Sequence, residues 1–248
     1  MDVVKTLREN NIVPKKEFDQ YFLTDEKIIN EEIMAASLSK NDVVLEVGAG
    51  IGNITEKIGE KAKVIAIEKD YSFRNVLKTV KNANVLLGDA LEILESLRTV
   101  AEKTGKTEFN KIISNIPYSI SQDLLLEFLR HRFDVAVLIV QKEFADKLKE
   151  DKLGMLMKEC AEVKVIKQVP AGKFYPVAID STMVIIKQKK KMDDNFWLFL
   201  TEIYKNRNKD TKKIIKNAPA KLAKKKIHQL TFEEVKLLYE LGRDKAKS

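Results

Sequence analysis

The 248-residue chain holds a single cysteine, Cys160, so no internal disulfide can form and the stapled scaffolds of small secreted proteins are excluded. A reducing, cytoplasmic compartment fits that usage. Histidine is almost as scarce. His131 and His228 stand far apart with no cysteine cluster beside either, so the sequence offers no structural zinc site and no metal is expected. No apolar run approaches the roughly 18 to 20 residues that a membrane span needs, and no membrane association is expected. Met1-Asp2-Val3-Val4-Lys5 lacks the continuous apolar stretch of a secretory leader, and none is expected. Internal repeats are absent. What is present is 44% hydrophobic and 33% charged residues, too apolar a balance for a disordered chain. The length accommodates one large domain and a small appendage.

Charge is in excess on one side only, and it is unevenly placed. From Lys187 to Ser248 there are 18 Lys+Arg against 8 Asp+Glu, whereas the first 186 residues hold 27 against 29. A positive segment of that kind attracts a phosphate backbone and releases its counterions. Lysine-rich helices that are merely solvated, as in heat-adapted chains, would give the same count. Confinement to one segment favours nucleic acid.

The first 187 residues alternate short apolar runs with amphipathic segments. Strands are expected at 43–47, 63–68, 84–88, 110–115 and 134–141, with helices over 53–61, 71–80, 89–103 and 119–131 between them. Continuously apolar strands suit a parallel sheet covered on both faces, built from right-handed βαβ units. Two more strands, near 161–169 and 179–187, have no long helix between them, so the sheet is expected to end in an antiparallel pair. After Lys187 the pattern changes to a lysine linker and short helices over 193–206, 209–217, 219–227 and 231–241. Asp193-Asp194-Asn195 can cap the first, and Thr231-Phe232-Glu233-Glu234 has the form of a capping box. The expected organisation is an α/β domain over 1–187, with a mostly parallel seven-stranded sheet, and a basic helical domain over 188–248. Trp197 is expected to anchor the second to the first, and His131 to sit at a solvated helix end.

Leu45-Glu46-Val47-Gly48-Ala49-Gly50-Ile51-Gly52 follows a strand and opens a helix. Its glycines let the backbone turn tightly and approach a ligand without Cβ interference. Glu68 closes the second strand, where a carboxylate can accept from both ribose hydroxyls. Gly88-Asp89-Ala90 closes the third. Each piece alone is often purely structural. In this order and spacing they resemble the Rossmann-like S-adenosylmethionine-dependent methyltransferases. The resemblance implies that Gly48 and Gly50 meet the methionine part of the cofactor, Glu68 its ribose, and Asp89 with Ala90 its adenine.

Asn115-Ile116-Pro117-Tyr118 ends the fourth strand and resembles the [DN]-[ILP]-P-[YF] motif of enzymes that methylate amines conjugated to a planar ring. The N6 lone pair of adenine is delocalised into the ring and is a poor nucleophile. The Asn115 oxygen and the Pro117 carbonyl can accept the two N6 hydrogens and turn the lone pair toward the methyl group, which is positioning plus electrostatics without a strong base. The Tyr118 ring can stack on a base that has left its own stack. A strand-terminal turn with a core tyrosine is the structural alternative.

Two further segments narrow the resemblance to the ribosomal RNA adenine dimethyltransferases of the small subunit (KsgA/Dim type, with the large-subunit Erm enzymes as relatives). Phe174-Tyr175-Pro176 matches their F-x-P, implying that Phe174 packs on the adenine face opposite Tyr118. An ordinary core aromatic is the alternative. Gln20-Tyr21-Phe22-Leu23-Thr24-Asp25 resembles their G-Q-[NH]-F-L-x-D, implying cofactor contacts from Gln20, Tyr21 and Leu23, and Thr24 can also cap the helix that follows. Asp19 stands where the family has glycine, Tyr21 where it has Asn or His, and Ala178 where it often has a second proline. Ser119-Ile120-Ser121-Gln122-Asp123 departs from the usual S-[ST]-P. The resemblance covers about residues 15–240. It implies S-adenosylmethionine-dependent dimethylation of adenine N6 in small-subunit ribosomal RNA, without a metal, on immature small subunits, by a chain expected to be a monomer. An Erm-like large-subunit enzyme and a non-catalytic assembly factor on the same fold are the alternatives.

Overall fold

Seven strands pair into one sheet because most are apolar on both faces and need cover on each. In the computed structural model, which describes residues 1–245, the strands are β1 (Phe22–Leu23), β2 (Val43–Val47), β3 (Lys63–Glu68), β4 (Ala83–Leu87), β5 (Lys111–Asn115), β6 (Val135–Gln141), β7 (Ala161–Val169), β8 (Phe174–Tyr175) and β9 (Ser181–Gln188). The sheet order is β4-β3-β2-β5-β6-β9-β7, and β1 and β8 form a separate two-stranded ribbon. Pairings from β4 to β6 are parallel, while β9 runs antiparallel to both β6 and β7. The edge strand β7 alternates half-buried and exposed residues between its buried ends and carries a register shift between Val165 and Lys167, features that blunt an open edge. Register decides where function can sit. Val47 lies level with Ile67, Glu68 with Leu87, and Asn115 with Ile139, so the residues that end β2, β3, β4 and β5 emerge along one edge.

Helices cover both faces. On one side α1 (Val3–Glu9), α2 (Glu26–Ala35), α3 (Asn53–Gly59) and α4 (Arg74–Leu77) bury Leu7, Ile29, Ile58 and Leu77 against Val44, Val64 and Ile113. On the other, α5 (Ala90–Thr104), α6 (Ser121–Arg130), α7 (Lys142–Lys147) and α8 (Asp151–Cys160) bury Leu94, Phe128, Phe144 and Leu156 against Leu45, Ile112 and Leu138. The second cluster continues into the C-terminal helices α9 (Asp194–Tyr204), α10 (Thr211–Ile214) and α11 (Phe232–Lys245) through Phe196, Leu200, Leu222, Ile227, Val235 and Leu238. Trp197 packs against this cluster with the Lys152 ammonium 4.7 Å from its ring centre. Ion pairs Arg130–Asp194 and Arg207–Asp151, each 2.9 Å, tie the same region to α6 and α8. Residues 246–248, the end of the expected basic domain, lie outside the described residues. Among the described residues no helix is long and apolar enough to cross a membrane.

The expected strands are present within two residues, and several expectations need correcting. Segment 71–80 is a short 3-10 turn followed by one turn of helix. Segment 219–227 is not helical. Thr211 and Ile227 donate backbone bonds to Lys225 and Lys209, so residues 207–212 and 223–228 lie side by side. Between Pro219 and Lys226 only Leu222 is buried, too few apolar anchors to hold a helix face on the core. The cap of α2 is Asp25, whose carboxylate accepts from the Ile28 N–H, while Thr24 donates to the Lys173 carbonyl. His131 is buried against Phe109 and Glu127. The capping box at Thr231 forms as expected, with both reciprocal bonds made.

Gly154 lies where α8 passes the preceding turn, and a Cβ there would stand 2.5 Å from the Lys149 carbonyl carbon. Backbone cannot yield as a side chain can. Gly154→Ala is expected to cost about 1–3 kcal/mol and to lower the thermal midpoint by several degrees, whereas Gly172→Ala, with nothing within 4 Å, leaves it unchanged in calorimetry.

Candidate active site

The strand ends gather around one cavity. Gln20, Tyr21, Leu23, Gly48, Gly50, Glu68, Asp89, Ala90, Asn115 and Pro117 all line it. Tyr118 and Phe174 stand outside that lining. Tyr118 is half-buried, with its ring stacked on Tyr21 and its hydroxyl 3.0 Å from the Ser181 hydroxyl. Phe174 is 4% exposed, within the core cluster on the α1–α4 side of the sheet, and pairs with Leu23 across the β1–β8 ribbon.

The glycine turn needs its glycines for two reasons. Gly48, Gly50 and Gly52 have φ of +77°, +54° and +82°, the left-handed region that favours glycine. Gly50 also lies under the Phe22 ring, which would come within 2.7 Å of a Cβ. The turn is held from below by Glu68, whose two oxygens accept from the Gly50 and Asp70 N–H groups at 2.8 Å each. Burial pushes the Glu68 carboxyl above its usual range against those bonds. Asp89 caps α5 by accepting from the Leu91 N–H, and its second oxygen meets the Lys69 ammonium at 2.9 Å. That ammonium holds the Asp89 carboxyl below its usual range.

The N-terminal segment forms the far wall. Gln20 does not reach into the cavity with a free amide. Its Nε2 donates to Asp70 at 2.8 Å and its Oε1 accepts from the Lys15 N–H at 2.7 Å. Lys15 adds an ion pair to Asp70 at 2.8 Å. Burial opposes ionisation of Asp70, but the bonds from Lys15, Ser72 and Gln20 outweigh it and hold the carboxyl below its usual range. The Asn53 amide donates to the Leu23 carbonyl, fastening the other end of the segment to α3. Lys69, Asp70 and Asn53 were not singled out from sequence. The first two directly follow Glu68, and that adjacency was the available signal.

At the end of β5 the Asn115 side-chain oxygen is buried and has no hydrogen-bond partner among the described residues. Orphaned buried acceptors are uncommon and ask for a donor. The Pro117 carbonyl, by contrast, already accepts from the Ile120 N–H at 3.3 Å and the Ser121 hydroxyl at 3.1 Å. Two carboxylates at adjacent strand ends, a glycine turn and an unsatisfied amide oxygen suit a nucleoside in the cavity and an amine donor at its Asn115 end.

Arg207, at the head of the surplus lysines, lies toward the same end. Cys160 precedes the start of β7, which pairs with the end of β9 beside the start of β6. Asp151, at the opposite end of α8, is therefore nearer the edge where β5 and β6 finish, and Arg207 is paired to it. Lys209, Lys212, Lys216, Lys221, Lys224 and Lys226 follow, exposed and without an ion pair among the described residues.

Comparison with known proteins places these features. Residues 12–247 match the family model described as "Ribosomal RNA adenine dimethylase". A protein named "Probable ribosomal RNA small subunit methyltransferase A" from Methanosarcina mazei is 32% identical over 252 residues, covering 88% of this chain and 89% of the relative. A protein of the same name from Pyrococcus furiosus is 31% identical and covers 94% of each. Among solved structures, a dimethyladenosine transferase from Plasmodium falciparum superposes with a TM-score of 0.74 at 25% identity, over 90% of this chain and 98% of that one. The 23S rRNA methyltransferase ErmE shares the fold at a TM-score of 0.62 and 20% identity, over 88% and 98%.

Beneath the glycine turn, Glu46 is 2% exposed, and burial pushes its carboxyl up to about 8, with the Glu68 charge adding to it. A raised folded value favours the protonated native form, so the stability it contributes is present below the ordinary carboxyl range and lost as pH rises through about 8. The thermal midpoint is expected to fall between about pH 5 and pH 9, and Glu46→Gln to flatten that fall in scans across the same range.

Proposed function

The chain belongs to the ribosomal RNA adenine dimethylase family, and on that premise we propose that it transfers methyl groups from S-adenosylmethionine to the N6 amine of adenines in small-subunit ribosomal RNA, twice per adenine. The observation that carries the reading is the buried Asn115 oxygen, unpartnered among the described residues, on a residue that lines the cavity with Glu68 and Asp89. The names of the curated relatives support the small subunit as substrate.

The residues present fit the cofactor. Glu68 lies at the strand end where a ribose diol would meet it, Asp89 lies one strand further out toward an adenine amine, and the Gly48–Gly50 turn leaves room for the amino-acid part. S-adenosylmethionine, when bound, supplies an electrophilic methyl group. The protein's part is to orient the acceptor. Asn115 accepts one N6 hydrogen and the Pro117 carbonyl, sharing its lone pairs with the turn, accepts the other. The nitrogen lone pair is thereby drawn out of conjugation and aimed along the transfer line. Tyr118 offers its ring to the extruded base, with Phe174 supporting from the core. Each round would release one N6 proton to solvent, so in a second round, after cofactor exchange, the single remaining N6 hydrogen is donated to only one of these acceptors.

The proposed division of labour assigns cofactor and chemistry to residues 1–187 and ribosomal RNA contacts to 188–248. Six exposed lysines without an ion pair among the described residues suit an RNA read through its backbone and shape.

Asn115→Ala is expected to lower kcat for methyl transfer to immature small subunits by about 10²–10³, with the circular dichroism spectrum unchanged. An unchanged kcat would remove Asn115 from the reaction. Replacing Lys212, Lys216 and Lys221 together by alanine is expected to weaken RNA binding and to make the slope of log affinity against log salt shallower by about 2. Cofactor affinity measured by calorimetry stays the same.

A further inference from the structure

The two N-terminal positions at which this chain departs from the family pattern make contacts to consecutive residues of one loop. Asp19 holds φ +52°, a left-handed conformation that glycine adopts freely and aspartate tolerates. In exchange its carboxylate accepts from the Ser119 N–H at 2.8 Å, across 100 positions of sequence. Ser119 sits in the 3-10 turn Tyr118–Ile120, where the first N–H groups have no partner within the turn. A backbone N–H bond to a carboxylate acceptor is among the stronger kinds. Two residues on, the Tyr21 ring stacks on Tyr118 with centroids 5.9 Å apart and planes inclined by 23°.

The strap from Lys15 to Leu23 is also fixed on its other side. Gln20 and Lys15 hold Asp70, and Asn53 holds the Leu23 carbonyl. Asp19 and Ser119 both line the cavity, so their bond closes part of its rim. Tyr118 itself has two supports, the Tyr21 ring and the Ser181 hydroxyl.

We propose that Asp19 and Tyr21 are positioning residues that clasp the strap over the cofactor cavity to the loop that receives the target adenine, so that one closure retains the cofactor and orients Tyr118. The proposal rests on the function given above for residues 115–118. With the clasp open, cofactor leaves faster and the Tyr118 ring loses one of its two supports, while RNA contacts made elsewhere are untouched.

The test uses the full chain and three variants. Asp19→Gly accepts the left-handed conformation and removes the acceptor. Asp19→Asn keeps an acceptor and tolerates the conformation. Tyr21→Leu removes the stacked ring. Amide exchange at Ser119 without ligand is expected to quicken about tenfold in Asp19→Gly and to stay near wild type in Asp19→Asn. Release of S-adenosylhomocysteine, followed by rapid mixing, is expected to speed up several-fold in Asp19→Gly and Tyr21→Leu. In methyl transfer to immature small subunits both variants lower kcat and leave KM for the RNA unchanged. Equal Ser119 exchange in Asp19→Gly and wild type overturns the clasp, as does unchanged product release in both variants. An unchanged kcat in both overturns the coupling to Tyr118. If the wild-type chain transfers no methyl group, the function assigned to the site fails, and the exchange and release measurements still decide the clasp.

Discussion

Glu68 closes β3 with both carboxylate oxygens engaged, one by the Gly50 N–H and one by the Asp70 N–H. Each bond leads to a different wall of the cavity. Through Gly50 the carboxylate sets the glycine turn beneath Phe22, and through Asp70 it reaches Lys15 and Gln20 and hence the whole N-terminal strap. A buried carboxylate is costly unless its lone pairs are satisfied, and here the backbone of two separate segments must come to it. The parallel register between β2 and β3 places Val47, and so the turn that follows it, beside the end of β3. The sheet is in that sense a device for bringing N–H groups to one acid.

How much of this was legible in the sequence follows from contact range. The strands of the sheet were readable because their apolar runs are continuous and need no partner to be recognised. Glu68, Asp89 and Asn115 were readable because each ends such a run. The β1–β8 ribbon was not, since two residues pair with two others some 150 positions away and neither run is long enough to announce a strand. The Asp19–Ser119 bond was hidden for the same reason. Segment 219–227 looked helical from composition, yet its lysines leave Leu222 as the one buried anchor before Ile227, and tertiary packing rather than propensity decides short helices. His131 looked like a solvated helix end because its neighbours are arginines. Glu127 covers it from one turn back on the same helix, and Phe109 from the segment before β5.

The charge distribution acquires a direction from the fold. In sequence the lysines merely follow the sheet region. In space, the Arg207–Asp151 pair fixes the head of the segment toward the edge where β5 and β6 finish, and the acidic groups of the cavity, Glu68 and Asp89, are already occupied by N–H groups and by Lys69. Acids that would repel a phosphate backbone are thus internally compensated, while Lys209, Lys212, Lys216, Lys221, Lys224 and Lys226 have no ion pair among the described residues.

The apolar cluster that runs without interruption from Leu45 and Leu138 to Leu222 and Leu238 has one more consequence. No flexible tether separates the lysine field from Asn115. Packed side chains do, and these deform little. The two therefore stand at a fixed reach, like the jaws of a caliper. Under the function proposed above, a folded RNA that touches the lysines would present an adenine at Asn115 only if its own shape spans that reach, so part of the choice of nucleotide would be made by length rather than by any contact to a base.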